Sequence, residues 1–220
     1  MSSIKQVFIF IAIVLGIVLW RGASELFQYY PIVNFPPKGQ VVLALGDSIT
    51  SGVGASAKEK NYIGLLEKRL SVQIINRGVS GATSKDILIS ADNIISEIHP
   101  NIVILLIGGN DILQQVLPQE TLNNVREVIR IAQKHGAVVF LIGIQKQQND
   151  AYGVGFEKIA HELGAVYVPD ILEGIFGNSE FMYDEVHPND KGYLKIADKI
   201  APQLEGIIYA GASASRTNSD

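Results

Sequence analysis

The sequence predicts an α/β protein built on a five-stranded, doubly wound parallel sheet. Five short apolar runs recur along the chain: VVLAL at 41–45, VQII at 72–75, IVILLI at 102–107, AVVFLIGI at 137–144 and AVYV at 165–168. Each run is apolar on both faces, as strands covered by helices above and below must be. The stretches between them are long enough for crossover connections, and apolar residues recur in them at helical spacing.

Residues 1–30 stand apart from that pattern. An unbroken apolar stretch, VFIFIAIVLGIVLW, runs from Val7 to Trp20 between Lys5 and Arg21. As a helix these residues span roughly 21 Å, short of the ~30 Å hydrocarbon core, although Ile4 and the flank up to Tyr30 could lengthen it. Two readings compete, a cleaved secretory signal and an uncleaved membrane anchor. The small-residue AxA pattern is missing, and bulky Trp20 and Arg21 precede the nearest small pair, Ala23-Ser24. An anchor is therefore favoured, and a membrane-held or exported protein is expected, extracytoplasmic or periplasmic in a bacterium.

Residues 31–40, PIVNFPPKGQ, hold three prolines and a Lys-Gly pair, which reads as an extended linker. The domain proper is expected over 41–210. Its second crossover, 84–98, places Ile87, Ala91, Ile94, Ile95 and Ile98 on one helical stripe. The third, 119–135, does the same with Leu122, Val125, Val128, Ile129 and Ala132, and a helix over 190–207 closes the fold. The last ten residues, GASASRTNSD, are small and polar, so 211–220 are expected to form a disordered tail.

Composition limits what such a domain does. With 220 residues, 47% of them hydrophobic, the chain fills one domain of about 190 residues. The net charge is -4 and the lysines and arginines are scattered, so no nucleic-acid surface is expected. There is no cysteine, which excludes disulfides, thiolate nucleophiles and Cys-ligated zinc. The four histidines, His99, His135, His161 and His187, form no HxH or HExxH pattern, and the carboxylates have no EF-hand spacing, so no metal is expected.

Ligands of doubly wound sheets gather beyond the carboxyl ends of the strands, and four motifs sit there. Gly46-Asp47-Ser48-Ile49-Thr50 follows the first strand and puts a serine where a helix begins, among free N–H donors. Asn76-Arg77-Gly78-Val79-Ser80-Gly81 follows the second, and Gly78 could bring a backbone N–H close to a ligand. Gly108-Gly109-Asn110-Asp111 follows the third and offers an amide to a developing oxyanion. Near the end, Asp184-Glu185-Val186-His187-Pro188 sets a carboxylate three residues before an imidazole. That pairing fixes the tautomer and frees the other ring nitrogen to take a proton from a serine. His99-Pro100 serves as an internal control, since Ser96 stands where the acid would be. Surface or capping roles suit His135 and His161.

Each motif also has a plain structural use, as cap, loop or Asx-turn. Their coincidence in one order is what points to a serine hydrolase. The nucleophile is not that of an α/β-hydrolase elbow, because Thr50 replaces the second glycine of G-x-S-x-G. No GxGxxG fingerprint follows the first strand either.

The four blocks, GDSIT, NRGVSGAT, GGND and DEVHP, resemble those of the SGNH or GDSL hydrolase family over about residues 41–207. The segments FEKIAHELGAVYVPDILEGIFG and DEVHPNDKGY resemble the bacterial thioesterase, lysophospholipase and arylesterase branch. The resemblance implies a three-layer α/β/α fold with a flavodoxin-like sheet and no metal or organic cofactor. It further implies Ser48 as nucleophile, Asp184 and His187 as its triad partners, and an oxyanion hole of the Ser48 N–H, Gly78 and Asn110. The expected substrate is a small ester, a thioester or a lipid-derived ester, and a monomer is favoured. Two departures stand out: Ile49 where the family commonly has leucine, and a polar QKQQND at 145–150 where relatives carry more apolar loops. The polar loop keeps a carbohydrate O-deacetylase as an alternative. The apolar N-terminus keeps another, a membrane-tethered binding module without catalysis.

Overall fold

The computed structural model describes residues 30–144 and 151–217, with side chains to residue 212. The apolar run of residues 7–20 and the polar segment 145–150 thus lie outside the described residues. Among the described residues no helix is long and apolar enough to cross a membrane.

Five strands, β1 (Val42–Gly46), β2 (Ile74–Gly78), β3 (Ile102–Leu106), β4 (Val138–Ile142) and β5 (Val166–Val168), make one parallel sheet in the order β2-β1-β3-β4-β5. Among the described residues seven α-helices accompany them. Two single-turn helices, α1 (Ser48–Ser51) and α4 (Gly109–Leu113), directly follow β1 and β3. The longer ones are α2 (Tyr62–Leu70), α3 (Ser84–Ile98), α5 (Pro118–Lys134), α6 (Ala151–Leu163) and α7 (Asp190–Thr217).

Because successive strand residues face opposite ways, the apolar runs build two cores at once. Val42, Ala44, Ile104 and Phe140 pack on Tyr62 and Leu66 of α2 and on Tyr193, Ile196 and Ile200 of α7. Leu43, Leu45, Val103 and Leu141 pack on Ile87 and Ile95 of α3, Val125 and Ile129 of α5, and Phe156 of α6. The result is the expected three-layer sandwich. Helix α3 keeps its expected bounds because Thr83 and Asp86 form a reciprocal capping box at its start. Pro118 opens α5 at the first helical position, where its missing N–H costs nothing.

Three expectations need correction. Strand β2 starts later than expected and takes in Asn76, Arg77 and Gly78, and as an edge strand it is only partly buried, not apolar on both faces. Residues 31–40 are not a free extended linker: the Val33 N–H donates to the Gly164 carbonyl at 2.9 Å, and Asn34 Nδ2 donates to the Gln133 and Ala137 carbonyls. The expected tail is helical as far as Thr217. Two alanines and an arginine among residues 211–217 favour that, and Gly211 fits against Pro37 where a Cβ would stand 2.9 Å from it.

The strand order places a topological switch between β1 and β3, where the chain turns to opposite sides of the sheet. A crevice forms beyond such strand ends. Both α1 and α4 begin there.

Candidate active site

Asp47 ends β1 and caps α1, its Oδ1 accepting from the Ile49 N–H at 3.0 Å. That turn places Ser48 at the first helical residue, nearly buried at 9% exposure, beside N–H groups that have no intrahelical partner. Ser48 Oγ–H donates to His187 Nε2 at 3.0 Å. On the other side of the ring, Nδ1 lies 2.8 Å from Asp184 Oδ2 and 3.0 Å from Oδ1. The three expected triad residues are therefore joined in one chain.

The turn holding the acid and the histidine organises itself. Asp184 Oδ1 also accepts from the N–H groups of Val186 and His187, at 2.9 and 2.8 Å. These bonds, led by the one to the His187 ring, hold the Asp184 carboxyl below the usual carboxylate range. An ionised Asp184 accepts from Nδ1–H, which leaves Nε2 as the acceptor for serine. Gly54 lets the loop after α1 approach this turn, because a Cβ there would stand 2.4 Å from the Pro188 carbonyl.

Sequence reading missed two residues that bring the loops together. Tyr193 OH, from α7, donates to the Val53 carbonyl at 2.6 Å. Asp190, the first residue of α7, accepts from Ser56 through both N–H and Oγ–H and from Lys60 Nζ. Both reach across more than a hundred residues of chain, a separation no local pattern reveals.

Asn110, at the start of α4, donates through Nδ2 to the Ala82 carbonyl at 2.9 Å. An amide carries two hydrogens, so the other remains for a ligand. Buried Asp111 fixes that helix, accepting from the Ser84 N–H at 2.8 Å and from the hydroxyls of Ser84 and Thr121. Gly78 is placed differently from expectation. Its N–H is taken by Asn76 Oδ1 at 2.8 Å, and a Cβ on it would stand 2.3 Å from the Ser51 nitrogen. Gly78 is thus a close-packing glycine between β2 and α1. The Gly81 N–H, next to the residue that Asn110 grips, has no partner among the described residues.

Asp47 is a further carboxylate of the region, and burial, opposed by its bond to Ile49 and by the His187 charge, pushes it up to about 6. Next to the triad opens a cavity of about 250 Å³. Ile49, Gly109 and Val186, each a chain neighbour of a site residue, form its inner side. Ile112, Leu172 and Phe176 give it apolar walls.

A hydroxyl bonded to an imidazole that is in turn bonded to a carboxylate, at the switch point of a parallel sheet, defines a serine hydrolase. Comparison with known proteins agrees. The GDSL-like Lipase/Acylhydrolase family matches residues 44–195, and the chain belongs to it. It is similar to Esterase TesA of Pseudomonas aeruginosa, at 28% identity over 77% of this chain and 90% of that protein. It is also similar to Thioesterase 1/protease 1/lysophospholipase L1 of Escherichia coli, at 28% identity over 76% of this chain and 84% of that one. The crystal structure of TesA superposes with a TM-score of 0.72 at 28% identity, over 76% of this chain and 99% of that chain. The protein is a GDSL-type enzyme that hydrolyses esters.

Proposed function

We propose that the protein cleaves small carboxylic esters or thioesters, among them aryl esters and lysophospholipids, through an acyl-enzyme on Ser48. The observation that carries this reading is the continuous bond chain from Asp184 through His187 to Ser48. His187 Nε2 takes the Ser48 proton as Oγ attacks the carbonyl carbon. The tetrahedral intermediate then expels the alcohol or thiol, which leaves with the proton from His187. Water, deprotonated by the same nitrogen, attacks the acyl-enzyme, and the acid is released as Ser48 regains its proton.

The intermediate's oxygen is held by the Ser48 N–H and the free Asn110 amide hydrogen. Gly81 supplies the third donor in place of Gly78, whose N–H is engaged. The apolar walls beside the triad suit an acyl chain better than an acetylated glycan, and the intact triad speaks against a binding module. Names of the relatives add support, since those proteins are called esterase, thioesterase and lysophospholipase. The apolar run at 7–20 supports an exported or membrane-held setting.

Turnover of 4-nitrophenyl esters, acyl thioesters and lysophospholipids by wild type and variants tests this. Ser48→Ala is expected to abolish all three. Asn110→Ala is expected to lower kcat about a hundredfold or more with little change in KM, the usual loss of ~3 kcal/mol for one oxyanion donor. Wild-type turnover by Ser48→Ala would refute the reading.

A further inference from the structure

Two of the oxyanion donors stand on separate pieces of chain that are weakly ordered by themselves. Asn110 belongs to α4, a single turn with too few internal bonds to be stable alone. Gly81 lies in the connection from β2 to α3 at a left-handed φ of 83°. Apart from its chain neighbours no atom lies within 4 Å of where its Cβ would be, so close packing does not fix it. Donors of this kind must keep their places to within about 0.5 Å to stabilise a developing charge.

Asp111 ties the two pieces together. It is 1% exposed, and its carboxylate takes three bonds: Oδ2 accepts from the Ser84 N–H at 2.8 Å, and Oδ1 from the hydroxyls of Ser84 and Thr121 at 2.5 and 2.8 Å. Asn124 Nδ2 in turn donates to Ser84 Oγ at 2.9 Å. Ser84 opens α3, where its N–H has no partner within the helix, so the carboxylate fills a place the helix leaves open. One residue earlier in α4, Asn110 holds the Ala82 carbonyl, next to Gly81. The connection is tied at its other end too, since the Val79 N–H donates to the Gly46 carbonyl at 2.9 Å.

Packing alone would be served as well by apolar side chains at 84, 111 and 121, because a buried charge ceases to destabilise only when every bond to it is made. What the carboxylate adds is direction. We propose that Asp111 is a positioning residue for the oxyanion hole: it acts through Asn110, locking α4 to the start of α3 so that the free Asn110 hydrogen and the Gly81 N–H converge on one oxygen.

This inference rests on the oxyanion reading of Asn110 and Gly81 and deepens it. Its test is a double-mutant cycle, with kcat and KM for 4-nitrophenyl butanoate measured on wild type, Asp111→Asn, Asn110→Ala and the double variant, each below its melting temperature. Asp111→Asn is nearly isosteric but puts an NH2 where one accepting oxygen stood. It is expected to lower kcat about thirtyfold, with KM changed less than about twofold. In the Asn110→Ala background the same substitution is expected to lower kcat less than about threefold, because the group it acts through is gone. Should Asp111→Asn fail to fold, Ser84→Ala removes one of the three bonds and is expected to lower kcat about fivefold, again with little effect once residue 110 is alanine. A purely structural role would lower Tm and leave kcat of the folded protein unchanged. The proposal is overturned if folded Asp111→Asn, or Ser84→Ala in its place, keeps wild-type kcat, or if the losses multiply in full in the double variant. Failure of the oxyanion reading looks different, because Asn110→Ala by itself would then keep wild-type kcat.

Discussion

Asp47 shows how the site trades stability for chemistry. Its pKa rises from 3.8 to about 6 on folding because the carboxyl is buried. Between those values the folded state holds more protons than the unfolded one, so this group's contribution to stability falls as pH rises and is fully lost above about 6. That rise corresponds to about 3 kcal/mol at neutral pH. Asp47→Asn keeps an acceptor for the Ile49 N–H and removes the charge. Thermal melts are expected to show a higher Tm for it at pH about 7.5 and none of that gain at pH about 4. Turnover should fall, since the negative charge that interacts with the His187 side chain is gone. Residues named by their chemistry were legible in the sequence: Ser48, Asp184, His187 and Asn110 occur in motifs whose spacing brings them to strand ends. The part played by Asp47 was not, because what distinguishes it is burial, and Gly78 was mistaken for a donor because the Asn76 side chain that occupies it lies on the same strand.

At the scale of elements, the site depends on two loops meeting, residues 52–56 after α1 and residues 183–188 before α7. Gly54→Ala would drive a methyl into the Pro188 carbonyl at a left-handed position, φ 90°. It is expected to separate Ser48 from His187 and lower kcat by at least about tenfold, with a stability loss of roughly 1–3 kcal/mol in denaturant titrations. Gly81→Ala meets no atom within 4 Å, so a smaller loss of stability is expected there. Gly78→Ala should be the worst of the three, because backbone of α1 fills the space. Strands and long helices were readable because burial on both faces imposes continuous apolar runs and helical stripes. The edge strand β2 was read short, since Asn76 and Arg77 break the apolar run while still pairing with Ala44 and Leu45.

Across the whole molecule, residues 32–220 make one compact unit. Its chain enters at the amino ends of the strands: Val33 is bonded to Gly164, just before β5, and Asn34 to Ala137, just before β4. The triad lies beyond the carboxyl ends. A protein fused at residue 31 should therefore leave kcat/KM within about twofold, and the 32–220 fragment should unfold in one transition. The flavodoxin-like order could be anticipated only through family resemblance, because strand order follows from long-range pairing that no local pattern records.

The account depends most on Ser48 being a nucleophile activated by His187. Mass spectrometry after treatment with a fluorophosphonate tests this directly. The expected result is one adduct, on the peptide that contains Ser48, absent in Ser48→Ala and formed far more slowly in His187→Ala. A folded wild-type protein that stays unlabelled, or that is labelled on another residue while Ser48 remains free, would contradict it.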